Sequence, residues 1–315
     1  MSVADRPIFV DDATVARLLT PAVMASVIRA AFVDPATAPD RLVATVDDGR
    51  GVSRSLLAMP ALKAGGLATI KLVMVRRDST IALDSHLLAF DRTGRLVAII
   101  EAHTLTARRT AAASVLAAHA MGAGESRRLA ILGAGRQAEA QFEAFLAACP
   151  LNHVAIWARR PKEAERLARA WRPRVPVTIA STPSEAACSA EIISCATGAS
   201  HPVLLGEAVA SGTHVDLVGG FRPEMREADD QLISRSSIVA DTAAALTEAG
   251  DLTQPLESGL IDRNRVMLLA DLLTGAPLSQ TGDVNLFKSV GHAAEDLVAT
   301  ELLLAMLAAD RSSAG

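Results

Sequence analysis

A glycine-rich turn at the end of an apolar run constrains this chain more than any other feature. Leu132-Gly133-Ala134-Gly135-Arg136-Gln137-Ala138 follows the apolar segment Leu129–Leu132 and opens a helical pattern over Gln137–Ala148. Gly133 permits a tight turn, and Gly135 lets the backbone approach a pyrophosphate. Ala138 stands where a third glycine often sits and is small enough for close helix packing. The phosphates would accept hydrogen bonds from the helix N-terminus. A Gly-x-Gly alone says little; its place between a strand and a helix is what points to dinucleotide binding. The surroundings agree. Strand patterns at Leu129–Leu132, Val154–Trp157, Val177–Ala180, Ile192–Ala196, Val215–Val218 and Ile238–Asp241 alternate with helical ones, clearest at Gln137–Ala148 and Lys162–Trp171. That alternation implies right-handed crossovers and a parallel, doubly wound sheet.

The first part of the chain has a different texture. A short strand at Ile8–Val10 precedes amphipathic helices at Ala13–Leu19 and Ala22–Phe32. Apolar segments follow at Leu42–Val46, Ser55–Met59, Ala68–Val75, Leu83–Phe90 and Leu96–Ile100, parted by Asp48-Gly49, Gly65-Gly66 and Thr93-Gly94. Turn signals at that spacing suggest an antiparallel meander. An Ala-rich helix then runs from Leu105 to Met121 and stops at Gly122 and Gly124, and a last apolar helix, His292–Ala309, is expected to pack back onto this first part. The expected class is α/β: a Rossmann doubly wound parallel sheet over 120–288, carried between the two parts, 1–119 and 289–315, of a split α+β substrate-binding domain.

Composition narrows the function classes. The 315 residues are 50% hydrophobic, enough for two buried cores, yet no run of about eighteen apolar residues offers a membrane span. Met1–Pro7 carries Asp5 and Arg6 and no apolar signal core, so a cytoplasmic address is expected. A net charge of −4, with no stripe of Lys and Arg, argues against nucleic-acid binding as the main task. Cys149, Cys188 and Cys195 lack Cys-x-x-Cys spacing and read as small buried residues of a reducing compartment. The histidines are scattered without a His-x-x-x-His pair, so no metal is expected; tyrosine, a common general acid, is absent.

Two sets of cations carry further meaning. Trp157-Ala158-Arg159-Arg160-Pro161 ends the second strand pattern, where an acidic residue would grip the ribose 2′-hydroxyl of NAD. Arg159 and Arg160 could instead pair with a 2′-phosphate, which favours NADP(H) with NAD(H) as the alternative; the plain alternative is a pair of solvated arginines. In the first part, Lys71 lies in the apolar segment Ala68–Val73, where a buried charge must be paired or bound to ligand. With Arg41 and Arg109 it would suit a small carboxylate. Taken singly, each is more often a structural salt-bridge partner.

The segments Leu105–Ala112 and Gly133–Gln137, followed by Glu248-Ala249-Gly250-Asp251-Leu252 and Phe287-Lys288-Ser289-Val290-Gly291, resemble the ornithine cyclodeaminase/mu-crystallin family in motif and order, from Arg41 to Asp296. By that resemblance Arg41, Met59, Lys71 and Arg109 would hold the substrate, with Lys71 and Arg109 as the catalytic pair. Thr110 with Gly133, Gly135, Arg136 and Gln137 would bind cofactor phosphate, and Thr197, Val218, Ser289, Val290 and Gly291 would line the nicotinamide side. The resemblance also implies a homodimer that pairs the sheets of the first domains, which would cover their edges.

Family members include cyclodeaminases, ketimine reductases and amino-acid dehydrogenases. In true ornithine cyclodeaminases an Asp follows the glycine pair that stands here as Gly219-Gly220, and it handles the substrate amine. Here that position is Phe221, which cannot accept a proton. The pattern Phe221-Arg222-Pro223-Glu224-Met225-Arg226-Glu227 is more similar to members that reduce cyclic imines. The segment between Lys71 and Phe90 is shorter than usual in the family, leaving Ser79, Thr80 and Asp84 as candidates for a substrate-contacting group, each with an ordinary surface-turn reading. The expectation is an NAD(P)H-dependent ketimine reductase. Amino-acid dehydrogenation, cyclodeamination and a non-catalytic dinucleotide-binding protein are the alternatives.

Overall fold

The computed structural model describes residues 6–34, 36–49, 52–77, 81–278 and 282–313. They form two compact units: residues 1–109 with 292–315, and residues 110–291. The division falls inside the helix His103–Ala120, ten residues before the expected 119/120 boundary.

The first unit is built on a seven-stranded sheet. Ser53–Lys63, Ala68–Arg77, Ile81–Phe90 and Leu96–Glu101 run antiparallel in succession, as the turn signals predict, and Ile8–Val10 adds parallel to the last. On its other side Ser53–Lys63 pairs with two strands, Leu42–Asp47 over residues 53–58 and Ala36–Thr37 over 62–63. Pro60, which has no N–H to give, falls in the gap between them. Because strand side chains alternate, one face collects Val10, Leu57, Met59, Ala61, Leu87, Ala89, Ala98 and Ile100, all buried. The last helix, Ala293–Ser313, covers part of that face, with Ala293 and Leu297 against Met59 and Ala61. The helix expected over Ala22–Phe32 is two, Pro21–Val27 and Ala30–Val33. The break follows Val27-Ile28, adjacent β-branched residues that are weak helix formers.

The second unit is an eight-stranded, wholly parallel sheet. Its order is Val177–Ile179, His153–Trp157, Arg128–Leu132, Ile192–Cys195, His214–Leu217, Val284–Lys288, Ser236–Ala240, Val266–Leu268. The first five strands follow the doubly wound order, in which the chain starts centrally and reverses direction beside its first strand. Two strands go unread in the sequence, Val266–Leu268 at the edge and Val284–Lys288, which slots between its neighbours late in the chain. The three cysteines are free, and Cys188 is exposed, contrary to expectation, because it caps the short helix Pro183–Ala187 at the surface. Among the described residues no single helix is long and apolar enough to cross a membrane, and no group of His, Cys, Asp or Glu could hold a metal ion.

Candidate active site

In the first unit the site is built around Lys71. Cross-strand register places it between Met59 and Leu87, in the buried row Met59–Lys71–Leu87–Ile100–Val10. Lys71 is 1% exposed, a position in which an unpaired ammonium would cost several kcal/mol. Asp296, in the first turn of Ala293–Ser313, meets it: Nζ donates to Oδ1 at 2.9 Å and lies 2.8 Å from Oδ2. Arg109, also buried, donates from Nε to the same Oδ1 at 3.1 Å and from Nη1 to Glu295 Oε2 at 3.2 Å. The backbone N–H of His292 donates to the other oxygen of Glu295 at 2.7 Å, closing the turn that starts the helix. Nη2 of Arg109 donates to no acceptor among the described residues.

This quartet of two cations and two carboxylates sets its own protonation. Burial, then the neighbouring Arg109, pulls the Lys71 ammonium down to about 8 against the opposing charge of Asp296. Burial also acts on Arg109, but Glu295 and Asp296 outweigh it and hold the guanidinium above its usual range. For Asp296 burial works upward, and Lys71 and Arg109 outweigh it and keep the carboxyl below its ordinary value. Of the other expected contributors, Met59 is buried beside Lys71, and Arg41 is half-buried just before the exposed strand Leu42–Asp47. Asp84 pairs with Met74 on the opposite face of the sheet from Lys71. Ser79 and Thr80 lie outside the described residues.

In the second unit the expected cofactor residues fall along one line, the C-terminal ends of adjacent strands. Arg159 and Arg160 follow His153–Trp157, and Gly133–Gln137 follows Arg128–Leu132. Thr197 follows Ile192–Cys195, Val218 follows His214–Leu217, and Ser289–Gly291 follows Val284–Lys288. Ligands of open parallel sheets bind along this edge. The residues present suit a dinucleotide. Gly133 has φ +119°, and a Cβ there would stand 2.5 Å from the Ala196 carbonyl oxygen, so only glycine fits. The helix Arg136–Ala148 begins at Gly135 without a side-chain cap, and Gly135 and Arg136 are exposed, leaving N–H groups for a phosphate. Arg166 braces the turn, donating from Nη2 to the Ala134 carbonyl at 3.1 Å. Arg159 and Arg160 are exposed, and neither guanidinium is engaged by another side chain among the described residues. Thr110 is buried in its helix.

At the far end of the line the segments are held by acids that the sequence reading left without a role. Glu227 accepts from the Thr197 N–H and hydroxyl at 2.7 Å each and from the Gly219 N–H at 2.8 Å, tying two strand ends together. A Cβ on Gly219 would stand 2.0 Å from the Thr197 carbonyl oxygen, so this approach requires glycine. Burial pushes the Glu227 carboxyl up to about 7, with Lys288 opposing. Asp251 accepts from Lys288 Nζ at 2.9 Å and from the Glu227 and Ala228 N–H groups at 2.7 and 3.0 Å, so two of the quoted motifs form a buried ion pair. One oxygen of Asp241 accepts from the Ser289 hydroxyl (2.9 Å), Val290 N–H (2.8 Å) and Gly291 N–H (2.7 Å). Phe221 is half-buried, with the Arg222 guanidinium 5.6 Å above its ring.

Signals for the missed acids existed. Glu295 and Asp296 stand in the first turn of an otherwise apolar helix, and Glu227 ends the Phe221–Glu227 pattern.

Comparison with known proteins identifies the family. Residues 8–309 match the model of the ornithine cyclodeaminase/mu-crystallin family. The chain is 38% identical over 229 residues to a Δ1-pyrroline-2-carboxylate reductase of Paracoccus denitrificans, covering 70% of this chain and 72% of that protein. It is 35% identical over 272 residues to the ketimine reductase mu-crystallin of Mus musculus, covering 84% and 83%. Among solved structures, the Δ1-pyrroline-2-carboxylate reductase of Thermococcus litoralis in complex with NADH and L-proline superposes with a TM-score of 0.87 at 26% identity, covering 94% of this chain and 96% of that one.

Proposed function

The chain belongs to the ornithine cyclodeaminase/mu-crystallin family, and from that premise we propose that it is an NAD(P)H-dependent ketimine reductase. Its substrate would be a small cyclic imino acid, Δ1-pyrroline-2-carboxylate or its six-membered homologue, reduced to the L-amino acid. The observation that carries this reading is Phe221. It puts an apolar ring, and no proton acceptor, after the glycine pair where cyclodeamination needs a base. Two named relatives are reductases of this type, and a third was solved with NADH and L-proline.

The nicotinamide cofactor supplies the hydride. The chain supplies orientation. Lys71 and Arg109, with Arg41 and Met59, hold the substrate; the two buried cations grip its carboxylate. Lys71, drawn down to about 8, can release a proton near neutral pH, whereas Arg109 cannot. Phe221 excludes water from a C=N bond that water would hydrolyse. The N-terminus of Arg136–Ala148 takes the pyrophosphate. The test is consumption of reduced nicotinamide with three substrate classes: cyclic imino acids, α-keto acids with ammonia, and ornithine. Turnover confined to the second or third class removes the reading.

NADP(H) is the preferred cofactor in this proposal, because Arg159 and Arg160 stand unengaged at the end of the second strand. Replacing them together, Arg159→Asp with Arg160→Ser, should raise KM for NADPH roughly ten- to a hundredfold and leave KM for NADH nearly unchanged. Equal changes for both cofactors would discard the assignment.

The reading includes a homodimer. Its support is the face of the first unit's sheet opposite Lys71, where Pro60, Ile70, Leu88, Ile99 and Phe9 form one apolar cross-strand row. Phe9 is 63% exposed, and Leu56 and Met74 on the same face are also exposed. An apolar patch of this kind marks an interface. Light scattering should report the mass of two chains; the mass of one chain at micromolar concentration contradicts the dimer.

A further inference from the structure

Lys71 and Arg109 belong to different elements, a strand and a helix, and two neighbouring buried cations repel each other unless something binds both. We infer that Asp296 is the positioning residue of this site, a buried carboxylate that joins the two cations, fixes their separation and keeps Lys71 charged. The inference rests on the reading of Lys71 and Arg109 as holders of the substrate carboxylate.

The geometry gives Asp296 this task and denies it to its neighbour. Lys71 Nζ and Arg109 Nε donate to the same Asp296 oxygen, at 2.9 and 3.1 Å, which keeps the two nitrogens within about 6 Å of each other. The second Asp296 oxygen lies 2.8 Å from Nζ. Of the two cations Glu295 accepts a hydrogen bond from Arg109, and its other oxygen accepts from the His292 N–H. Asp296 is itself fixed by its helix, where the Thr300 hydroxyl donates to its backbone carbonyl at 2.7 Å. The charged groups facing Lys71 are thus Asp296 and Glu295 from the last helix and Arg109 from His103–Ala120; its sheet neighbours Met59 and Leu87 are apolar.

The consequence is chemical. Burial and Arg109 press Lys71 toward its neutral form, and Asp296 is the foremost of the charges that resist. Without that charge the ammonium would be drawn lower still, and a larger share of Lys71 would be neutral amine near neutral pH. A neutral amine can still donate a hydrogen bond, but it no longer attracts a carboxylate by charge. Asp296 therefore acts on substrate recognition without touching the substrate.

The test uses the NADPH-bound enzyme and Δ1-pyrroline-2-carboxylate. Asp296→Asn keeps size and removes charge. It should raise KM for the imino acid about tenfold or more and move the alkaline fall of kcat/KM, near pH 8 in the unmodified enzyme, down by about one unit or more. Wild-type KM with an unmoved profile overturns the inference; so does loss of thermal stability and kcat with an unmoved profile, which is the mark of a merely structural group. Should Asp296→Asn not fold, Asp296→Leu combined with Lys71→Met leaves a neutral, packed pair. That variant should fold and keep the raised KM, and recovery of wild-type KM in it also overturns the inference. Lys71→Met alone separates the two levels. If it leaves KM unchanged, the reading of the site falls and the inference with it. If it raises KM while Asp296→Asn leaves the profile in place, only the role of Asp296 falls.

Discussion

Arg109→Ala will lower kcat/KM for a cyclic imino acid by about 2–5 kcal/mol of transition-state stabilisation, roughly thirtyfold to several thousandfold. The guanidinium is buried and its Nη2 donates to no acceptor among the described residues, so under the proposed reading its removal takes a desolvated charge from the substrate carboxylate. From sequence alone the same change would be expected to spare the fold. The structure corrects that, because Arg109 is also a counterion. Without it Glu295 loses its cation and Asp296 keeps only Lys71 of its two, and breaking a buried ion cluster from one side costs about 3–5 kcal/mol of stability. The assay therefore belongs well below the variant's melting temperature, with NADPH binding measured in parallel. Arg108 is the control. Its side chain donates to the carbonyls of Ala16 and Leu19 at the end of Asp12–Leu18, so Arg108→Ala should reduce stability and spare KM. Near wild-type kcat/KM in Arg109→Ala would make Arg109 purely structural and put the substrate elsewhere.

The second large effect separates the reactions available to the family. With Δ1-pyrroline-2-carboxylate or its six-membered homologue, the unmodified protein should consume NADPH rapidly and yield proline or pipecolate. With ornithine, ammonia release should stay at background. Cyclodeamination needs a base near the substrate amine and then loses ammonia as the ring closes; reduction of a cyclic ketimine needs one hydride and one proton. Phe221 cannot act as that base, and in the proposed reading its ring is the wall against water. Phe221→Asp should depress imine reduction by placing a charge where the C=N bond needs a dry surface, with little ornithine turnover gained. Equimolar ammonia and proline from ornithine by the unmodified protein would return the cyclodeaminase reading.

Much of the fold was legible because local signals and the final topology agree. The glycine turn, the alternation after Arg127 and the turn-separated apolar segments lie within a residue or two of observed element ends, except Ser55–Met59, whose strand runs four residues further to Lys63. Val284–Lys288 escaped because five residues, the last two read as part of a motif, carry no period that separates strand from helix. Val266–Leu268 is shorter still. The site was legible in its cations and not in its anions. Lys71 in an apolar strand announces that a charge needs a partner, but it does not say which. Asp296 is 225 positions away, brought there by a helix that returns after the whole second unit has been made. Pairings at that distance leave no periodic trace. Likewise Asp241, which gathers three donors of Ser289–Gly291, lies 48 to 50 residues before them, just past the end of a neighbouring strand.

The acids at one end of the strand-end line and the arginines at the other make that line a polarised track. Arg159, Arg160 and the bare N–H groups at Gly135 are donors and positive. Two to four strands along, Glu227 and Asp251 are buried beside Lys288, and the N–H groups of Val290 and Gly291 are already consumed by Asp241. A phosphate laid over that far end would find spent donors beside buried carboxyl groups, whereas an uncharged carboxamide ring meets no such penalty. An asymmetric ligand with its phosphates toward one end therefore has a single favourable direction along the track. Orientation is thus written into the order of the strands before any contact with the reacting ring is made.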